Sequence, residues 1–90
     1  MPYIASKERT DYEPEIKSIV DKLMAQDENS VVGHLNYIIF SVLKRYVIAR
    51  GVRYFRVNNL IGMLECCKNE FYRRVIAPYE DTVIGKNGDV

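Results

Sequence analysis

The residues able to do chemistry in this chain are chiefly arginines set among aromatic rings. Lys44, Arg45, Arg50, Arg53 and Arg56 fall within thirteen residues that contain no acid, interleaved with Tyr46, Tyr54 and Phe55. Arg73 and Arg74 follow beside Tyr72, with Tyr79 one and a half helical turns on. A guanidinium forks onto two phosphate oxygens at once, and an aromatic face stacks on a base or on a guanidinium plane. The mixture suits a small anionic ligand such as a nucleotide. The candidate binding residues are Arg45, Arg50, Arg53, Tyr54, Arg56, Tyr72, Arg73, Arg74 and Tyr79. The same arginines can instead stand solvated, or pair with acids of another subunit, where each surface pair contributes little. No glycine-rich phosphate loop accompanies the charges, so the pattern alone does not fix the ligand.

Catalytic constellations are harder to find. Covalent catalysis needs a nucleophile, a base and an orienting group within reach of one another. The single histidine, His34, falls in the first turn of an expected helix, where capping or packing is the commoner role. The acid pairs Asp27-Glu28 and Glu80-Asp81 lie at expected helix boundaries, where carboxylates serve the helix dipole. The Cys66-Cys67 pair would be reactive if one were exposed beside Lys68, although Cys67 falls on an apolar stripe and suits packing. One histidine and two adjacent thiols do not supply finger-like ligand spacing, so neither a metal nor another cofactor is expected. The pattern implies a binding protein and not an enzyme.

These side chains need helices to position them. Residues 1–10 read as an extended arm, and Thr10 or Asp11 can cap a first helix over 11–26, with Pro14 tolerated in its first turn. Tyr12, Ile16, Ile19, Val20, Leu23 and Met24 recur there at helical spacing. Asp27 to Ser30 is a polar break that also caps a second helix over 31–50, stopped by Gly51. Apolar residues cover more than one stripe of that second helix, so it has two sides to bury. Residues 51–57 read as a loop, with a short strand as the alternative. Asn58 or Asn59 then caps a third helix over 58–77, in which Leu60, Leu64, Cys67, Phe71 and Val75 form a seam close to coiled-coil spacing. Pro78 either kinks this helix or opens a short fourth one over 78–86, which Lys86-Asn87-Gly88 ends.

The formal net charge of +1 conceals a sorted distribution. Residues 1–30 carry four basic and seven acidic groups, residues 31–74 eight basic and two acidic, and residues 75–90 one basic and three acidic. A chain of 90 residues makes one marginal domain, which needs a disulfide, a metal or a partner for support. Adjacent cysteines close no useful loop, which leaves oligomerisation. Unpaired thiols, an N-terminus without a signal-peptide core, and a helix interrupted by His34, Asn36, Lys44 and Arg45 all point to a cytoplasmic protein with no membrane partner.

Several strings resemble those of a family of short, uncharacterised phage and bacterial proteins. They are Met1-Pro2-Tyr3-Ile4, Leu35-Asn36-Tyr37-Ile38-Ile39 and Ile61-Gly62-Met63-Leu64-Glu65, with the long string Glu70-Phe71-Tyr72-Arg73-Arg74-Val75-Ile76-Ala77-Pro78-Tyr79-Glu80-Asp81 and the closing Asn87-Gly88-Asp89-Val90. His34, where members tend to carry an acid, and the Cys66-Cys67 pair depart from the family's pattern. The resemblance implies a phage or bacterial cytoplasmic setting and carries over no functional residue.

The expectation is therefore an all-α single domain of three main helices and a short C-terminal one, assembled as a helical-bundle homo-oligomer. Its interface would use Leu35, Ile39, Val42, Tyr46, Leu60, Leu64 and Phe71. Its function would be to bind and sequester a small anion, such as a nucleotide signal of host defence. The alternatives are an adaptor for a protein partner and, less favoured by the near-neutral charge, a nucleic-acid-binding regulator.

Overall fold

A polar break and a glycine divide the chain's apolar periodicity into three long helical runs. The computed structural model, which describes residues 3–90, forms helices on all three and contains no strand among the described residues. The elements are α1 (Ser6–Arg9), α2 (Glu13–Met24), α3 (Val31–Arg50), α4 (Tyr54–Phe71), a π-helical turn (Tyr72–Ile76) and α5 (Ala77–Asn87). They fall into two units, residues 1–51 and residues 52–90, where the length alone suggests one domain.

In the first unit, Ser6–Arg9 make a single helical turn within the stretch expected to be an extended arm. Local hydrogen bonds close it: Arg9 Nε donates to the Ile4 carbonyl at 3.0 Å, and the Thr10 hydroxyl to the Lys7 carbonyl at 2.9 Å. Met1 and Pro2 of that arm lie outside the described residues. Thr10 thus closes α1 and does not cap α2, whose N-cap is Tyr12 and which carries Pro14 in its first turn. α2 packs against α3. Ile19 and Leu23 on α2, and Val31, Ile38 and Val47 on α3, are half-buried.

α3 has the expected boundaries. Ser30 holds its N-cap position without capping, since its hydroxyl donates back to the Asp27 carbonyl at 3.0 Å. At 20 residues, α3 is long and apolar enough by length and composition to cross a membrane. The sequence reading set that aside because of four polar residues. His34 and Asn36 gather toward one end and Lys44 and Arg45 toward the other, which leaves the middle apolar.

Gly51 ends α3 with φ of 102°, and its N–H donates to the Val47 carbonyl at 2.8 Å. That left-handed cap is compact, so α4 starts at Tyr54, four residues before the expected position. Val57 N–H donates to the Arg53 carbonyl at 3.1 Å, and Asn58 and Asn59 lie inside the helix and do not cap it. The β-branched and aromatic residues of 52–57 disfavour a helix only weakly, and the turn at Gly51 overrides them.

The second unit is one continuous helical run from Tyr54 to Asn87. Pro78 neither breaks it nor begins a separate helix. In α register Pro78 would owe a hydrogen bond to the Arg74 carbonyl, and its ring would crowd that carbonyl. A π turn stands just before it: Ala77 N–H donates to Tyr72, five residues back, and the widened turn shifts the register in which Pro78 meets the preceding carbonyls, while the backbone keeps right-handed helical angles. Gly88 closes the run, as its position suggests, with φ of 87° and an N–H donated to Ile84.

No described side chain is buried. The chain exposes 8124 Å². A globular chain of this size exposes about 5,400 Å², and two separate globular halves together about 6,500 Å². The surplus exists whichever reference is used.

Gly51 offers a direct check on the local account. Gly51→Ala forces a Cβ into a backbone region that L-residues avoid, a cost of about 1–3 kcal/mol. Thermal unfolding followed by circular dichroism should show a midpoint lower by several degrees.

Candidate functional site

Three of the five cations in the acid-free run from Lys44 to Arg56 lie over aromatic rings. The Lys44 ammonium lies 5.8 Å from the Phe40 ring centre, the Arg50 guanidinium 5.6 Å from Tyr46, and the Arg56 guanidinium 5.2 Å from Phe55. The first two pairs are four residues apart on α3, where helical geometry sets side chains over one another. A cation over a ring face is attracted by the ring's negative face. Phe40 was absent from the candidate set. Its signal is the four-residue Phe40–Lys44 spacing, which reaches back beyond the acid-free run.

Arg45 lies with Arg50 on α3 in the first unit, whereas Arg53, Tyr54 and Arg56 begin the second. Arg53 is the N-cap of α4, in extended conformation, and Tyr54 is 85% exposed. Arg56 occupies the first turn of α4, which holds no acid. Cations there oppose the helix dipole, so an anion at this end is electrostatically favoured.

Tyr72, Arg73 and Arg74 lie on the π turn. Arg73 is held by an ion pair with Glu70, one turn back. The Tyr72 hydroxyl donates to the Glu80 carboxylate across the proline. In a regular α-helix residues eight apart are about 12 Å distant along the axis and about 80° apart around it. The wide turn realigns them, and the hydrogen bond straps the π segment to α5. The Glu80 hydrogen bond and charge, with a smaller contribution from Asp81, raise the Tyr72 phenol above its ordinary pKa of 10.0. Glu80 was not foreseen as Tyr72's partner, because eight residues is not a helical contact spacing unless the turn between is wide.

The helix keeps the two arginine groups of the second unit apart. Arg56 and Arg73 are separated by seventeen residues of helix, about 25 Å along its axis. A single small ligand therefore cannot touch both on one chain. Tyr79 lies on α5 and is exposed. Of the expected interface residues, Leu35, Ile39, Val42, Tyr46, Leu64 and Phe71 all stand exposed, and Leu60 is half-buried. A shallow hollow on α2, lined by Pro14, Glu15, Ser18 and Ile19, contains a carboxylate and no cation, so it does not suit an anion. Cys66 and Cys67 are free and exposed. Among the described residues no group of three histidines, cysteines or carboxylates is placed to hold a metal ion.

Comparison with known proteins matches the whole chain, residues 1–90, to one family, Domain of unknown function (DUF6899), and the chain belongs to it. No curated protein and no solved structure matches.

The Tyr72 strap has a spectroscopic signature. In an ultraviolet titration the Tyr72 phenol, identified by its loss in Tyr72→Phe, should ionise above its ordinary pKa of 10.0. Because its folded pKa is raised, the stability it contributes is complete below pH 10 and is lost as pH climbs through the folded value. Glu80→Ala should remove the delayed component by removing both the hydrogen bond and the charge. An unchanged late phase in that variant would assign it to another residue.

Proposed function

We propose that this chain is a non-enzymatic, homo-oligomeric binding protein of the bacterial cytoplasm that sequesters a small anionic ligand, with a nucleotide-like signal as the leading class. In a phage-infected cell such a protein would serve as a sponge for a signal of host defence.

The observation that carries the ligand class is the acid-free run from Lys44 to Arg56, in which three cations stack on exposed aromatic rings. Guanidinium rims present the donors, and nearby rings offer stacking surface to a base. Arg73, oriented by Glu70, and Arg74 repeat the chemistry beside Tyr72. The oligomer is supported by the absence of any buried side chain among the described residues and by the surplus of accessible surface. Isolated helices are marginal in water, so helices this exposed need cover from outside the chain. The 25 Å between Arg56 and Arg73 also favours sites completed by more than one subunit.

Native mass spectrometry of protein purified gently from bacterial cells tests both parts. An oligomer carrying the mass of a nucleotide at each site, released on denaturation, supports the reading. A clean monomer overturns it. Alanine at both Arg73 and Arg74 should weaken anion binding roughly tenfold or more while leaving the subunit number unchanged. An oligomer that repeatedly binds no anion, from host cells or from a nucleotide panel, transfers the function to a protein partner. Recovery only in detergent would instead make α3 a membrane segment.

A further inference from the structure

The apolar seams of α3 and α4 mirror one another about Arg53. Counting back from Arg53 by four, seven, eleven, fourteen and eighteen residues meets Ala49, Tyr46, Val42, Ile39 and Leu35. Counting forward by the same steps meets Val57, Leu60, Leu64, Cys67 and Phe71. Alternating steps of three and four keep each set on one side of its helix, at the spacing by which paired helices interlock side chains. The mirror breaks at twenty-one residues, where Val32 is matched by Arg74. There the π turn Tyr72–Ile76, hydrogen-bonded five residues back, takes up one extra residue. Val75, with Tyr79 a turn beyond, thereby returns to the line of Leu60 and Phe71, and Val32 gains an apolar counterpart.

The single chain covers neither seam. Of the ten mirrored positions nine are exposed, Val42 to 61% and Phe71 to 58%, and Leu60 is half-buried. Side-chain size indicates how two such seams meet. Run antiparallel, with mirrored positions opposed, Tyr46 stands against Leu60 and Phe71 against Leu35, so each ring meets an aliphatic side chain. The small Cys67 meets Ile39, and Leu43 beside Ile61 widens the apolar strip. Run parallel, Tyr46 would meet Phe71 in one layer and Val32 would meet Val57 in another. Such layers are overfull at one end and thin at the other, whereas cores favour large side chains facing small ones. The antiparallel direction also opposes the helix dipoles.

We infer that α3 of one copy packs antiparallel against α4 of a second, with Ile39 opposite Cys67, and that the reciprocal pair closes a two-fold dimer. The inference rests on the oligomeric reading proposed above and specifies its contact. Two exposed seams of equal length, matched position by position, suit each other as cover, and exchanging an element between copies is a low-cost route to a dimer. The pairing brings Arg50, Arg53 and Arg56 of both copies to one end of the dimer. A polyvalent anion there offsets their mutual repulsion, which places the proposed ligand between the copies.

Thiol bridging by a mild oxidant tests the contact. In Ile39→Cys with Cys66→Ser, the introduced thiol and Cys67 should join two chains into a covalent dimer, its linkage identified by peptide mass. Tyr37→Cys with Cys66→Ser puts the thiol on the opposite side of α3, where bridging to Cys67 should be about tenfold slower. Circular dichroism and sedimentation equilibrium of the reduced variants check that helicity and subunit number match the parent's. If Ile39→Cys fails that check, Leu35→Cys with Phe71→Cys, in a chain with both native cysteines changed to Ser, reads the next layer but one. A bridge within one chain assigns the cover to that chain and overturns the exchange. Bridges between like positions only, or none, in an oligomeric parent overturn this pairing alone. A monomeric parent removes the oligomeric reading and this pairing together.

Discussion

Apolar surface left in water governs everything else about this protein. Each long helix carries more apolar side chains than its own unit covers, and no described side chain reaches the interior of anything. At about 25 cal/mol per Å² of apolar area, removing surface from water is the main favourable contribution to a folded state. A helix standing alone forgoes that contribution and retains only its backbone hydrogen bonds, each worth little net of those it made with water. The helices of this chain thus carry apolar faces that the single chain does not cover. The aromatic platforms under Lys44, Arg50 and Arg56 belong to the same economy, since a cation over a ring shields part of an otherwise wet apolar face.

The second unit shows how a local constraint is turned to use. A proline in mid-helix is costly because it removes a donor and crowds a carbonyl. Here the widened turn absorbs that defect, the Tyr72 hydroxyl bridges it to Glu80, and the ion pair to Glu70 orients Arg73 on its approach. The same few residues hold two arginines, two tyrosines and the slip of the apolar seam. Chemistry and packing are superposed on one turn, which is why the string from Glu70 to Asp81 is dense in information.

Much of the helical skeleton was legible in the sequence, for reasons that can be named. Val31–Arg50 was clear because Ser30 and Gly51 punctuate a long apolar run, and the C-terminal stop was clear because Gly88 follows Asn87. The start of α4 was missed because β-branched and aromatic residues between 52 and 57 resemble a loop or strand, while helix propensity is too weak a force to exclude them. The turn at Ser6–Arg9 is held by contacts to carbonyls three and five residues away, which periodicity does not register. At the candidate site the residue types were legible but their grouping was not. A linear list joins Arg56 to Arg73, whereas a continuous helix through Pro78 holds them about 25 Å apart. The fate of Pro78 could not be settled by propensity, since kinking and restarting were both open and the π turn is a third answer.

The π turn also makes the C-terminal third sensitive to reading-frame-preserving loss of a single codon. Removing one residue from Tyr72–Ile76 would take up the slack of the wide turn and return Pro78 to the α register, against the carbonyl it now avoids. Every residue beyond would then rotate by about 100° relative to α4. Val75 and Tyr79 would leave the side that Leu60 and Phe71 occupy, and Glu80 would lose its alignment with Tyr72. The surface would be re-indexed at the same point where the proline strains the helix. In this helix the length of the chain, to the residue, is itself a determinant of which face it shows.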